Sequence, residues 1–459
     1  MSPVSATAPS WSWTVATTPG RRSTSPTSCS SAPDPTRFRG PDRTSWDPRR
    51  PRYGALMTDD ATMNDASEAT HPSEDWFIDA DTHITEPPDV WVDRVPARFR
   101  DRVPHVVRTA DGVDQWVLDG QPFYNIGLTA VAGWPEPFPG GPRNYDECHP
   151  AAFDPAARLA YMDDEGIWAQ VLYPNVASFG GQRFLSFPDD ELKLVCVRAY
   201  NDFLRDWAAA DPRRLVTIMS TPFWDVDAAV AEVRRGAEAG HRGILFTGEP
   251  HRFGLPFLAD RHWDPLWATA QDLGLPIHFH IGSGDTASSF TPERVAATST
   301  AATFAYTAIE MFLKNGLQVA DLLMSGILPR FPDLQFVSVE SGIGWIPFVL
   351  EAVDHNYREG RVDRTSEWDR MPSEYFATNV YACYWFETAA TTEMLGLLPA
   401  DRILFETDFP HPTCLYGNVH ERMEASLAGV PEYVRRKILW DNGAALYGIL
   451  APEPAPVRA

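Results

Sequence analysis

The 459-residue sequence contains no run of about 18 apolar residues, so no transmembrane helix is expected. Its five cysteines, Cys29, Cys148, Cys196, Cys383 and Cys414, show no CxxC spacing. That excludes a zinc knuckle and a disulfide framework, and it makes a reducing cytoplasm the expected location. No GxGxxG or GxxxxGK[ST] follows an early apolar strand, so the usual nucleotide cradles are missing. Arg21-Arg22 is followed by Ser, Thr, Pro and Asp rather than by an apolar stretch, so no export signal is expected. Positive charge is in short supply: a formal net charge of −23 repels nucleic acid and anionic membranes alike.

Residues 1–55 lack Leu, Ile, Lys and Glu, while Ser, Thr, Pro and Arg dominate. Such a stretch cannot bury enough apolar area to offset its ordering entropy, and residues 1–75 are expected to be a disordered, low-complexity segment. The charge of residues 1–55 also has the opposite sign, eight arginines against Asp34, Asp42 and Asp47, or +5, which leaves −28 on the rest of the −23 chain. The shift falls just before Met57 and Met63, so one of these is the expected true start; peptides from residues 1–50 in the native protein would overturn that expectation. Residues 451–459 are expected to be a flexible tail.

What is present from Trp76 onward is an alternation of apolar strands with amphipathic helices, in a chain that is 44% hydrophobic and 12% aromatic. Strands are predicted near 76–82, 168–173, 214–220, 242–247, 276–280, 334–339, 379–384 and 402–407. Between them, Leu192, Val195, Ala199, Phe203 and Trp207 form one helical stripe and Val226, Val230, Val233 and Ala237 a second, stopped by Gly240. Trp263, Leu266, Trp267, Ala270 and Leu273 form a third, stopped by Gly274. Eight strands alternating with helices over 76–450 predict an α/β fold, a (β/α)8 TIM barrel, with an open doubly wound sheet as the alternative. Two connections exceed ordinary loop lengths. Residues 84–160 predict a lid or small subdomain after the first strand, centred on Trp134–Arg143. Residues 284–330 predict a helical insertion after the fifth, anchored by Phe304, Ile309, Phe312 and Leu313.

Three of these strands end on metal-competent side chains: Phe77-Ile78-Asp79-Ala80-Asp81-Thr82-His83, Pro276-Ile277-His278-Phe279-His280 and Arg402-Ile403-Leu404-Phe405-Glu406-Thr407-Asp408. Alternation along a strand puts Asp81 and His83 on one face. In barrels of this kind sites are assembled at strand C-termini, so the repetition predicts one metal centre built from several strand ends. His278 lies one residue pair deeper and is expected to be a hydrogen-bonded barrel residue. Trp134, Phe138, Phe223, Trp224, Trp385 and Phe386 are expected around the pocket, with Arg143 and Arg183 as candidate carboxylate clamps.

Together with Val337-Ser338-Val339-Glu340-Ser341-Gly342 and Phe409-Pro410-His411-Pro412, these segments resemble the amidohydrolase-related family. That is the branch of the amidohydrolase superfamily with aminocarboxymuconate-semialdehyde decarboxylase and the resorcylate and carboxyvanillate decarboxylases. The resemblance implies metal ligands at Asp81, His83, His280 and Asp408, with Asp408 doubling as a base. Glu340 stands where many relatives carry a catalytic His, and Asp81 where many carry a ligand His. Glu340 is expected in or beside the ligand set and His411 at the substrate. Mixed imidazole and carboxylate ligation suits zinc first, with manganese or iron as alternatives, at one or two ions per chain. Three carboxylates facing one divalent cation leave a negative excess, which a protonated Glu340 or a second ion would relieve.

The expected function is a metal-dependent hydrolase acting through a metal-activated water on a small, partly apolar ester, lactone, amide or carboxylic acid. The alternative is a non-oxidative decarboxylase of an aromatic or unsaturated carboxylic acid, and a non-catalytic ligand-binding barrel is a further one. Expected partners are a small-molecule substrate and a second copy in a homodimer, with neither nucleic acid nor membrane.

Overall fold

The computed structural model describes residues 76–284, 290–364, 368–388 and 391–452. The expected disordered segment with Met57 and Met63, and residues 453–459 of the expected tail, lie outside these residues. Strand β1 (Phe77–His83) is followed by a small antiparallel sheet of β2 (His105–Arg108), β3 (Asp114–Leu118) and β4 (Gln121–Asn125). Then come β5 (Ile167–Tyr173), β6 (Leu215–Ser220), β7 (Gly243–Leu245), β8 (Ile277–His280), β9 (Phe336–Val339), β10 (Val380–Tyr384) and β11 (Ile403–Phe405). These seven and β1 form one parallel sheet in chain order, the predicted barrel. Its two ends meet where the Asp408 N–H donates to the Asp81 carbonyl at 3.0 Å and the His83 N–H to the Phe409 carbonyl at 2.7 Å.

All eight barrel strands fall where the apolar runs predict them, because a parallel strand covered on both faces reads as continuous hydrophobic sequence. β6 shows this directly: all six of its residues are buried. Among the helices, α1 (Pro155–Asp164) precedes α2 (Asp190–Ala208), α3 (Val226–Glu238) and α4 (Asp264–Leu273), the three predicted stripes. Asp189 caps α2 by accepting from the Glu191 and Leu192 N–H groups, and Asp225 caps α3 through Ala228.

The core has two layers. Ile78, Ala80, Val171, Val216, Ile218, Leu245, Val337, Val339 and Leu404 fill the barrel, floored by Trp440, Tyr447 and Ile449. Phe77, Leu204, Ile244, Trp267, Phe279 and Phe336 seal the strands to the helices, each contributing roughly 1.5–3 kcal/mol relative to exposure. His278 is a barrel residue as expected, its Nδ1 2.6 Å from the Tyr173 hydroxyl. Gly243 makes room for it, since a Cβ there would lie 2.6 Å from His278 Nε2.

Simple alternation does not explain the face of Asp81 and His83. Ile78 and Ala80 already point into the barrel, so strict period two would send the next odd positions outward. Between Asp79 and Thr82, however, β1 spends three steps against the two from Gln170 to Leu172 of β5. This bulge reverses the phase and turns Asp81 and His83 to the barrel mouth.

Both insertions exist, with different contacts from those expected. In the first, Phe123, Tyr124, Leu128 and Thr129 reach the barrel mouth. Trp134–Arg143 does not line that cavity itself: its Phe138 packs on Phe304 of the second insertion, while Arg143 is turned to the surface and paired with Asp111, its Nη2 2.6 Å from the Asp111 carbonyl. Arg143 is therefore no carboxylate clamp. The second insertion carries α5 (Pro292–Ala297) and the 25-residue α6 (Thr300–Met324). Phe304 stacks on Phe138 at 4.0 Å and Phe312 on Phe386 at 5.7 Å, as anchors should. Ile309 and Leu313 are instead 55% and 57% exposed, since α6 turns its buried face, Asn315, Val319, Leu322 and Leu323, to the barrel.

Candidate metal centre

Four strand ends deliver the polar groups at the mouth. β1 brings Asp81 and His83, β8 brings His280, the turn after β9 brings Glu340 and the turn after β11 brings Asp408. Glu340 and Asp408 have φ of 59° and 60°, the left-handed region that costs a non-glycine residue of order 1–3 kcal/mol. Neighbouring strands hold both in place. The Glu340 N–H donates to the Glu406 carboxylate at 3.1 Å and the Asp408 N–H to Asp81.

The side chains converge. His83 Nε2 and His280 Nε2 are 3.2 Å apart, and each lies 3.5 Å from Asp81 Oδ1. His83 Nε2 is also 3.5 Å from Asp408 Oδ1, and His280 Nε2 is 3.4 Å from Glu340 Oε2. Carbonyl oxygens fix the tautomers: His83 Nδ1 donates to Pro174 at 3.1 Å and His280 Nδ1 to Ile281 at 2.8 Å. With the proton on Nδ1, both Nε2 lone pairs face one point. All four carboxylate oxygens of Asp81 and Asp408 are buried without a hydrogen-bond partner. Buried lone pairs facing one another are costly unless a cation lies between them, so this donor set fits a divalent ion.

Electrostatics point the same way. Burial, with Asp408 and Asp81 nearby, holds the Glu340 carboxyl well above its ordinary range. Burial and Asp81 do the same to Asp408, and burial with His411 and His280 close by keeps His83 far below the ordinary imidazole range. Asp79, beneath the centre, accepts from Thr407 Oγ1 at 2.6 Å and Gln170 Nε2 at 3.1 Å, yet burial raises it to about 7.

His411 joins the cluster, its ring stacked on His83 at 3.8 Å. Its Nε2 lies 2.7 Å from Asn175 Oδ1, while Asn175 Nδ2 donates to the Ile84 carbonyl at 2.9 Å. The amide is thereby oriented, and Nε2 of His411 carries the proton. Its Nδ1 lone pair then faces Asp408 Oδ1 at 2.7 Å, a contact that a proton or a cation must bridge. Asn175 is held in turn by Glu86, whose Oε1 accepts the N–H groups of Asn175 at 2.9 Å and Val176 at 3.0 Å. Two overlapping groups could thus hold ions: Asp81, His83, His280 and Glu340, and His83, Glu340, Asp408 and His411. Glu406, Asn175, Glu86 and Phe179, which stacks on His280 at 4.4 Å, were not among the sequence candidates. Glu406 was visible in the strand-end motif; the other three sit in irregular segments with no periodicity to mark them.

Above the centre lies a chamber of about 210 Å³, lined by Leu128, Phe179, Ile281, Phe304, Met311 and Phe312 among others, whose ionisable lining is Glu340, Asp408 and His411. A larger cavity of about 530 Å³ adjoins it, and Arg183 lines that one. The six aromatics expected around the pocket line neither cavity. Phe223 and Trp385 are buried in the core, and Phe138 and Phe386 stack face-on against Phe304 and Phe312 of the second insertion.

Residues 78–449 match the family model Amidohydro_2, described as amidohydrolase. The gamma-resorcylate decarboxylase of a Polaromonas species is 26% identical over 300 residues, 63% of this chain and 86% of that protein. Among solved structures, an amidohydrolase from Mycobacterium avium subsp. paratuberculosis superposes with a TM-score of 0.66 at 23% identity, covering 81% of this chain and 99% of that one. A dihydroxybenzoic acid decarboxylase from Polaromonas, with bound manganese and the inhibitor 2-nitroresorcinol, gives 0.52 at 21% identity, covering 82% and 97%.

Proposed function

Because the chain belongs to the amidohydrolase family, we propose that it is a metal-dependent, non-oxidative decarboxylase of an aromatic carboxylic acid. The observation that carries this reading is the ring-sized apolar chamber with Glu340, Asp408 and His411 as its ionisable lining. Similarity to gamma-resorcylate decarboxylase along 86% of that protein supports it, and for that reason decarboxylation replaces the hydrolysis expected from sequence.

Asp81, His83, His280 and Asp408, with Glu340 beside them, would hold the ion, which supplies a positive charge for the oxygens of the substrate. The oxygen-rich donor set and the manganese-bound relative support manganese, with zinc the alternative that metal analysis decides. The chain's own contribution is shape, exclusion of water and a proton. Phe179, Ile281 and Phe312 strip water from the ring and its carboxylate, which favours a transition state in which that charge spreads into the ring. The bond from ring to carboxyl carbon breaks, CO2 leaves, and the electron pair left on the ring takes a proton from the Glu340, Asp408 and His411 group. A homodimer in the cytoplasm completes the reading. The outward apolar residues on α6 support the first, and the free cysteines Cys148, Cys196, Cys383 and Cys414 the second.

The test is a panel of hydroxybenzoic acids, aryl esters and lactones given to the metal-loaded enzyme in 18O water. CO2 release matching loss of acid, without 18O in any acid product, is expected. Turnover of esters or lactones with 18O uptake and no CO2 would establish hydrolysis. Bound metal with no turnover across the panel would favour a binding barrel.

A further inference from the structure

The larger cavity communicates with the ring-sized chamber through Leu128, Thr129, Phe179 and Met311, which line both. The inner chamber, about 210 Å³, is below the roughly 300–1,000 Å³ of ordinary ligand pockets, whereas the outer one, about 530 Å³, is well within that range. A compact hydroxybenzoic acid would fill the first and leave the second to water.

Asn175, Ser186 and Thr307 of the outer cavity's polar lining are hydrogen-bonded within the protein, but one part of that lining is unmatched. Arg183 is its only charged side chain among the described residues. The guanidinium stacks over the Phe123 ring at 5.2 Å and, among the described residues, makes no ion pair and no side-chain hydrogen bond. Arg143, the other clamp candidate, is by contrast taken up by Asp111. Two neighbours on the same wall are also unsatisfied: the Tyr124 hydroxyl and Gln182 Oε1 are both buried without a partner. Gln182 Nε2 donates to the Gly282 carbonyl at 2.7 Å, which pins the amide so that its oxygen stays free for a ligand. A guanidinium seated on an aromatic ring, with a phenol donor beside it and no carboxylate among the described residues of the lining, is complementary to an oxyanion.

We propose that this outer cavity is a second, anion-binding subsite, and that the substrate is an aromatic acid bearing a side chain that ends in a second carboxylate. Arg183 is the residue that selects it. The inference rests on the decarboxylase reading of the inner chamber: the carboxylate to be lost sits at the metal centre, and the distal carboxylate, which is retained, sits at Arg183. Phe123 orients the guanidinium, and Gln182 takes a hydroxyl or water on the side chain. No bond to the distal carboxylate forms or breaks, so its effect falls on binding and positioning.

Three probes separate charge from length: salicylate, 5-(2-carboxyethyl)salicylate, and the latter with its side-chain carboxyl as the methyl ester. Affinity for the manganese-loaded full chain is measured by calorimetry, and CO2 release is measured in parallel. The diacid is expected to bind at least about tenfold tighter than salicylate or the ester, a gain worth about 1.4 kcal/mol. Arg183→Met should erase that gain and leave salicylate binding unchanged, which also shows that the variant is folded; Arg183→Lys should keep part of it. An equal loss for all three probes, or no loss, overturns the subsite. A diacid advantage that depends on Arg183 without CO2 release from either acid keeps the subsite and removes the decarboxylase reading. CO2 release from salicylate with no diacid advantage does the reverse, and no binding of any probe removes both.

Discussion

Glu86 touches no candidate ligand, yet it sets one: it holds Asn175, which orients His411 against Asp408. It is fully buried, and burial raises its carboxyl from 4.5 to about 7. An acid whose folded value lies above its unfolded one binds its proton more tightly in the fold. The fold is therefore penalised progressively as pH rises from 4.5 to about 7, and fully above that, by about 3 kcal/mol. Glu86→Gln keeps an acceptor oxygen for the Asn175 and Val176 N–H groups and removes the charge. Calorimetric melts should show the variant several degrees more stable than wild type at pH 8 and level with it near pH 4.5. The same difference at both pH values would mean that Glu86 does not titrate in this range. At the centre itself, His83→Ala and His280→Ala should lower divalent metal from about one ion per chain to nearly none, read by plasma mass spectrometry. Wild-type content in both variants would rule the centre out. Asp81, His83, His280 and Asp408 were legible because each ends an apolar run. Asn175 and Glu86 were not, because their roles are hydrogen bonds between irregular segments distant in sequence.

Elements show the same division. Apolar runs such as Leu215–Ser220 mark barrel strands plainly, and stripes with a capping Asp or a stopping Gly mark the helices. The bulge in β1 left no such mark: strict alternation from Ile78 and Ala80 would turn Asp81 outward, and the extra residue corrects the phase. Composition located the first insertion but not which of its residues line the cavities, since a Pro- and Gly-rich stretch signals a loop without saying which way it turns. Phe123–Thr129 is the part that closes over both cavities. Hydrogen exchange should therefore slow at residues 123–131 when an aromatic acid binds the metal-loaded enzyme, while 134–143 changes little. Protection confined to 134–143 would return the lid to its expected place.

At the scale of the whole molecule, the outward faces matter. Ile309, Leu313 and Leu317 recur every four residues along α6 and are 55%, 57% and 68% exposed, a stripe that a second copy would cover. Equilibrium sedimentation of the full chain at micromolar concentration should give the dimer mass, and Leu313→Glu should shift it toward monomer; a monomeric wild type would remove the dimer from the reading. The barrel closes where the Asp408 N–H donates to the Asp81 carbonyl and the His83 N–H to the Phe409 carbonyl, joining the first strand to the last. That seam has a consequence in time. During synthesis, Asp81 and His83 leave the ribosome early and wait for Asp408, which arrives only after the last barrel strand. An incomplete or truncated product thus lacks the Asp408 side of the candidate cage, and any ion held there would be captured only once the last barrel strand has been made and closed on the first.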